Sequence, residues 1–495
     1  MKRLCWQLLL ICSLVILAYG NIFYNGFAID DHVFIGSYHP TIREAFAGVV
    51  PAGHEGVYRP IRGLLYTLYF HAFGTNQFFY HLHSLAVHLA STVLVFFILR
   101  HLSTLSHLRD LGFPGALLFG LHPIHTETIT YIASSMDATG LLLFLLSWLL
   151  YLQKKYPWAL LVGIISFFTT EMALTLPLFL LLQELIFNEA VTKPCPRGPL
   201  GHVAGTLRNA MKKIWPLFVA AGGYLAVRFF VLGIGARGVY LADSFYLTML
   251  TMSKVLLQYL TLLLWPQNLM HNHIISPGIE AFVYRGYRTE AIASQTLFDP
   301  EILLSIGVIV VIGVIGWKMR NKYPVISFGI GTFFLGLLPV MEFVPQGSMM
   351  NERSLYLSSV GFFLVLGYGL SKFIVLPKTK IVALAGCMLL LLFYTGRTML
   401  RNRDWRDDVA LFTKDVNAAP NDNAYAYFAL GNAYNEKKDY QKAIEQYQKS
   451  VAINTRFAVG YASLARTYRD MGNTELSNIN YQLAEQKEPG FWSRP

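Results

Sequence analysis

Apolar residues along this chain are gathered into long unbroken runs instead of being spread at helical or strand spacing. The clearest are Leu8–Gly20, Phe78–Leu99, Leu141–Leu152, Leu174–Phe187, Ile214–Leu232, Ile302–Trp317, Val325–Val340, Leu355–Leu370 and Ile381–Phe393. A hydrocarbon layer of about 30 Å takes roughly 20 helical residues to cross, and several of these runs reach that length with their flanks. Inside lipid every backbone N–H and C=O needs a partner from its own segment or a closed barrel. Barrel strands alternate apolar and polar positions, which these runs do not. The pattern therefore predicts an all-α, polytopic transmembrane helix bundle of about 11 to 12 spans.

Two kinds of position interrupt the pattern. Lysine and arginine cluster in some connecting loops: Lys154-Lys155, then Lys193, Arg197, Arg208, Lys212 and Lys213, then Lys318, Arg320 and Lys322, then Lys372, Lys378 and Lys380. Such loops mark the cytoplasmic side. The opposite, outer side then holds residues 21–75, the turn around His122–Asp137, the loop around Met341–Arg353 and everything after Arg397. Charge bias conflicts with counting every run across 214–300, so one of Ile214–Leu232 and Phe245–Trp265 is expected not to span. Lys2-Arg3 ahead of the first run reads as an uncleaved first span, since Ala18-Tyr19-Gly20-Asn21 is a poor cleavage site.

From Trp405 the character changes to mixed charge and amides with helical periodicity. Tyr427 and Tyr461, Leu430 and Leu464, Tyr434 and Tyr468, and Tyr447 and Tyr481 repeat every 34 residues, which is the tetratricopeptide period of a paired-helix repeat. The expected division is a membrane domain over 1–400 and a tetratricopeptide domain over 401–495, with repeats at about 424–457 and 458–491 and a degenerate helix before them. Such an array presents a concave face to a partner or acts as a cap; both readings stand.

Composition adds little beyond this. Hydrophobic residues make up 54% of the 495, and the mean hydropathy is +0.43. The net charge of +11 is spent largely on loop orientation, and no compact basic face interleaved with aromatics suggests nucleic acid as a partner. Cys5, Cys12, Cys195 and Cys387 form neither a disulfide framework nor a zinc spacing.

Candidate chemistry lies on the outer side. Asp30-Asp31 stands just beyond the first span. Side chains of neighbouring residues diverge, so the two carboxylates divide into a general base and an orienting group, unless the pair is only a turn or cap. Tyr58-Arg59-Pro60, His81 with His88, His122-Pro123-Ile124-His125-Thr126-Glu127, Asp137, Glu171 and Glu352-Arg353 share that side. Ionisable groups at membrane depth are costly and mark functional sites. His122, His125 and Glu127 with the acidic pair could hold a divalent cation. Pro123 breaks a shared helix face, however, and no metal or other cofactor is assigned.

In this order, these motifs resemble the transmembrane and tetratricopeptide-repeat O-mannosyltransferase family of the GT-C glycosyltransferases, together with Asn351-Glu352-Arg353-Ser354-Leu355-Tyr356 and Asp404-Trp405. The resemblance implies a GT-C-like membrane domain that moves a mannose-like hexose from a polyprenyl- or dolichyl-phosphate to an acceptor hydroxyl, on protein, with the acceptor held by the repeats. It implies Asp30 as base, Asp31 orienting an acceptor or a cation, and Arg59 and Arg353 on the lipid phosphate. It implies His81, His122, His125, Glu127, Asp137, Glu171 and Glu352 around the substrates. Ser134-Ser135-Met136-Asp137 and Thr170 depart from the family pattern and suggest a bacterial or divergent member, in the inner membrane with a periplasmic site. In a eukaryote the membrane would be that of the endoplasmic reticulum. The alternatives are a non-catalytic assembly factor and a lipid-linked sugar transporter.

Overall fold

The structure is a computed structural model and describes residues 2–51, 54–106, 110–187, 198–282, 296–375 and 380–490. Lys193, Cys195, Arg197 and Lys378, which entered the sequence reading, lie outside the described residues. The elements run α1 (Lys2–Tyr19), α2 (Asp31–Gly36), α3 (Ile42–Phe46), α4 (Pro60–Phe73), α5 (Gln77–Leu105), α6 (Gly112–Leu121) and α7 (Thr126–Thr130). Next come α8 (Ile132–Leu152), α9 (Tyr156–Phe167), α10 (Leu176–Phe187), α11 (Gly198–Ala226), α12 (Phe245–Leu264), α13 (Pro300–Met319), α14 (Pro324–Leu337), α15 (Leu355–Val375) and α16 (Lys380–Asp404). The last five are α17 (Asp408–Ala418), α18 (Ala424–Glu436), α19 (Tyr440–Ile453), α20 (Ala458–Asp470) and α21 (Thr474–Lys487). Among the described residues the only strands are a short antiparallel pair, β1 (Ile274–Ser276) and β2 (Ile279–Glu280).

Eight helices among the described residues are long and apolar enough to cross a membrane: Lys2–Tyr24, Gln77–Leu105, Ile132–Leu152, Gly205–Val231, Phe245–Leu264, Pro300–Met319, Glu352–Phe373 and Lys380–Asp404. Gly112–Leu121, Tyr156–Phe167 and Pro324–Val340 are shorter apolar helices. The chain is an integral, multi-pass membrane protein of all-α class. Gly205–Val231 and Phe245–Leu264, of which one was expected not to span, both have the length and composition to do so.

Contacts divide the chain into two compact units. One comprises Met1–Gly235, Gly307–Val340 and Arg353–Arg403. Lipid tails are as apolar as leucine, so its helices are held by close backbone approach and by polar side chains. The packing of α14 on α15 shows the first device. A Cβ at Gly361 would overlap the Thr332 hydroxyl and the Gly329 carbonyl, and one at Gly336 would meet the Ser358 hydroxyl at 2.5 Å. The second device joins α8 to its neighbours. The Ser147 hydroxyl donates to the Ala159 carbonyl at 2.7 Å, and the Trp148 indole donates to Gln183 at 2.6 Å.

The other unit comprises Ala236–Ile306, Met341–Glu352 and Asp404–Pro495. Its repeats pack as the 34-residue period requires. Ala443, Ile444, Tyr447 and Leu464 form a buried cluster covered by Phe428, Tyr434, Val451 and Tyr468. Gly431 must lack a Cβ, because one would sit 2.5 Å from the Tyr447 ring. Carboxylates from this segment also tie down loop backbone. Asp415 accepts the N–H groups of His271 and Asn272 at 2.9–3.1 Å. In return Glu280 accepts the first N–H groups of α18, from Ala424 and Tyr425, each at 3.0 Å.

Replacing Gly361 by valine should force α14 and α15 apart. Overpacking costs about 1–3 kcal/mol and more where backbone is the neighbour, so the detergent-purified variant is expected to melt several degrees lower. An unchanged melting temperature would show that this crossing is not tightly packed.

Candidate functional site

The acidic pair is built by a sharp turn. Ile29 has φ +53°, a left-handed backbone that a β-branched residue adopts only under constraint, at roughly 1–3 kcal/mol. The constraint is Asp31. Its Oδ2 accepts the Ala28 N–H at 3.2 Å, closing the turn, and its Oδ1 accepts the Ala133 N–H at 2.7 Å in the first turn of α8. Asp31 is buried, and burial pushes its carboxyl up to about 8, against the two N–H donors that pull it down. Asp30, at the N-cap of α2, is half-buried. Among the described residues its carboxylate accepts no hydrogen bond, yet it lies within electrostatic reach of Tyr131, Tyr66 and Arg353. The turn thus separates the two side chains into one anchored and one available.

A charged network lies in the same unit, at helix ends. Arg59 stands at the N-cap of α4, ahead of Pro60, and forms ion pairs through Nη1 with Asp137 and through Nε with Glu171. Arg62 is one helical turn further on the same face, and its Nη1 lies 3.2 Å from both oxygens of Asp137. Arg228 reaches Glu171 at 3.3 Å from a π-helical turn, Val227–Val231, at the end of the α11 span, and donates to the Gly56 carbonyl at 2.8 Å. π-Turns are often found at functional sites. Neither arginine is among the site residues expected from the sequence. Each left a signal: Arg62 repeats Arg59 at three residues, and Arg228 is a lone charge inside an apolar run.

Glu127 is fully buried and receives Arg353 twice, from its backbone N–H at 3.1 Å and from Nη1 at 2.8 Å. Glu352, the neighbour of Arg353, turns instead to His273 at 3.2 Å. The histidines are packed into the helices. His81 Nε2 meets the Asn25 carbonyl at 3.2 Å, and His88 spans Tyr356 and the Gly120 carbonyl, each at 3.0 Å. His125 lies between the Phe119 carbonyl and the Ser359 hydroxyl, and burial holds it neutral. His122 Nδ1 accepts the Ile124 N–H at 3.1 Å and its ring stands edge-on to Tyr394. The structure therefore gathers Asp30, Arg59, Asp137, Glu171, Glu127 and Arg353 as charged groups of one unit. It gives His81, His122 and His125 protein partners, and Asp31 and Glu127 accept protein N–H groups, whereas the Asp30 carboxylate accepts none among the described residues.

Comparison with known proteins gives this arrangement a context. The tetratricopeptide repeat model matches residues 424–457. Protein O-mannosyl-transferase TMTC3 of Mus musculus is 24% identical over 98% of this chain and 55% of its own length. Protein O-mannosyl-transferase TMTC1 of Homo sapiens is 25% identical over 85% of this chain and 50% of its own. The chain resembles protein O-mannosyl-transferases. Tmtc3 of Drosophila melanogaster, at 24% over 88% of this chain, shows the same likeness. The chain spans about half the length of the relatives it matches. The likeness takes in both the helical membrane part and the repeat.

The burial of Asp31 has a pH signature. The unfolded chain releases this proton near 3.8 and the fold retains it to about 8, so the folded state binds more protons in between and stability falls as pH rises through that window. The apparent melting temperature in detergent should therefore drop between about pH 5 and pH 8, and Asp31→Asn should flatten that part of the slope. Equal slopes for the two proteins would remove Asp31 as its source.

Proposed function

We propose that this chain is a membrane glycosyltransferase that moves a mannose-like hexose from a polyprenyl- or dolichyl-phosphate to a hydroxyl group on protein, at the outer face of its membrane. The observation that carries the reading is the division of labour in the acidic pair. Asp31 holds a strained turn, while Asp30 is left with an unbonded carboxylate within electrostatic reach of Arg353. The relatives' names supply the reaction class and the sugar.

In the reaction the acceptor oxygen attacks the anomeric carbon, and the bond from that carbon to the phosphate oxygen breaks. Asp30 takes the hydroxyl proton, and the lipid phosphate leaves with the electron pair. A positioned base contributes about 10²–10⁴-fold. Charge on the leaving phosphate grows along this path, so cationic groups placed there stabilise the transition state more than the ground state. A donor whose lipid tail stays in the bilayer suits a site at helix ends. The repeats, with a concave helical face, suit the acceptor.

The test is sugar transfer in vesicles containing the purified protein, a lipid-phosphate mannose and a candidate acceptor protein. Wild type is expected to transfer, and Asp30→Asn to lose about 10²–10⁴-fold of the rate while still binding the donor. Full transfer by the variant would overturn the assignment of the base. Donor binding without transfer by wild type would favour an assembly role.

A further inference from the structure

The arginine network holds more positive charge than its own carboxylates use. Three guanidinium groups, Arg59, Arg62 and Arg228, face two carboxylates, Asp137 and Glu171. Arg62 and Arg228 are 6% and 4% exposed, and a buried charge is retained only if it is paired and its donors are satisfied. Yet the buried Nε of each donates to nothing among the described residues. Among those residues Arg59 Nη2 and Arg62 Nη2 also make no hydrogen bond, since the bonds of these arginines run through Arg59 Nε and Nη1 and through Arg62 Nη1. One surplus positive charge and several idle N–H donors in a fixed fork fit a phosphate, whose oxygens guanidinium groups bind in pairs.

The surroundings indicate where that phosphate comes from. The α9 helix packs against both α8 and α11, and the network joins the start of α8, the segment after α9 and the end of the α11 span. Immediately beyond Arg228, Phe230 and Val231 are 87% and 73% exposed. Phe46 and Val49, in the same unit, are 43% and 48% exposed, and Gly48 between them packs on Leu232 and Ile234. An apolar surface of this kind at the end of a membrane-length helix faces acyl or prenyl chains. It stands beside a buried guanidinium whose neighbouring donors are idle.

We propose that Arg62 and Arg228, with Arg59, seat the phosphate of a lipid phosphate monoester or diester, the lipid chain lying against Phe230 and Val231. Arg353, whose guanidinium is already matched by the buried Glu127, positions that carboxylate and does not hold the phosphate. The assignment rests on the glycosyltransferase reading only for its place in the reaction, because binding of a lipid phosphate can be measured without transfer.

The experiment measures binding of a polyprenyl monophosphate to the full chain in nanodiscs, with inorganic phosphate as competitor. Arg62→Gln and Arg228→Gln should each weaken binding about 10-fold or more, the loss of one or two charge-assisted hydrogen bonds. Asp137→Asn removes a competing carboxylate at a partly exposed position and should tighten it several-fold. Inorganic phosphate should compete only at far higher concentration than the lipid. If wild type binds the lipid but transfers no sugar, the site stands and the glycosyltransferase reading falls. If sugar is transferred while both arginine variants bind the lipid as wild type does, the site falls and the enzyme reading stands. Should the arginine variants fail to fold, Asp137→Asn decides alone, unchanged or weaker binding overturning the proposal. Inorganic phosphate as effective as the lipid would overturn the lipid part.

Discussion

Two carboxylates, Asp137 and Glu171, hold three arginines that arrive from separate stretches of the sequence: two from the start of α4 and one from the end of the α11 span. Removing a charge from water costs several kcal/mol unless it is paired. None of these five side chains can therefore be buried before the others are in place. The start of α8, the end of the α11 span, the start of α4 and the turn before α10 are positioned together or not at all. The sharp turn at Ile29, the anchoring of Asp31 on α8 and the availability of Asp30 follow from that shared frame, because α8 is both the partner of Asp31 and the carrier of Asp137. A surplus of positive charge at this place is tolerable only where something negative comes to it.

Much of this architecture was legible because membranes impose crude rules. A run such as Phe78–Leu99 has no soluble alternative, and it lies within a 29-residue helix. The 34-residue period marked the paired-helix repeats through positions such as Tyr447 and Tyr481, while the contact of Gly431 with the Tyr447 ring needed the structure. The divergence of Asp30 and Asp31 was also readable, since adjacent side chains cannot converge without a bend. What the sequence hides is which residue is spent on structure. Nothing in Asp30-Asp31 says that the second carboxylate closes the turn and caps a distant helix. Arg62 and Arg228 were passed over because one sits beside a more conspicuous arginine and the other lies inside an apolar run.

The histidines teach the complementary lesson. A motif dense in histidine invites a chemical role, but a neutral imidazole is also a compact donor and acceptor in one ring. In a helix bundle it can satisfy a carbonyl on one side and a hydroxyl on the other, as His88 does between Gly120 and Tyr356 and His125 between Phe119 and Ser359. Spacing alone does not distinguish that use from ligation or substrate contact. The decisive observation is where each ring nitrogen points.

The carboxylates that clamp loop to repeat have a consequence for how such chains can lengthen. Asp415 in α17 accepts backbone N–H groups from His271 and Asn272, Glu280 accepts those at the entry to α18, and Asn272 and Asn423 add two more bonds. Cutting in at that point would strand several buried donors and acceptors at once. A repeat array rooted in this way has one fixed end and one growing end. Copies can be gained or lost distally while the root, and whatever it holds steady, keeps its geometry.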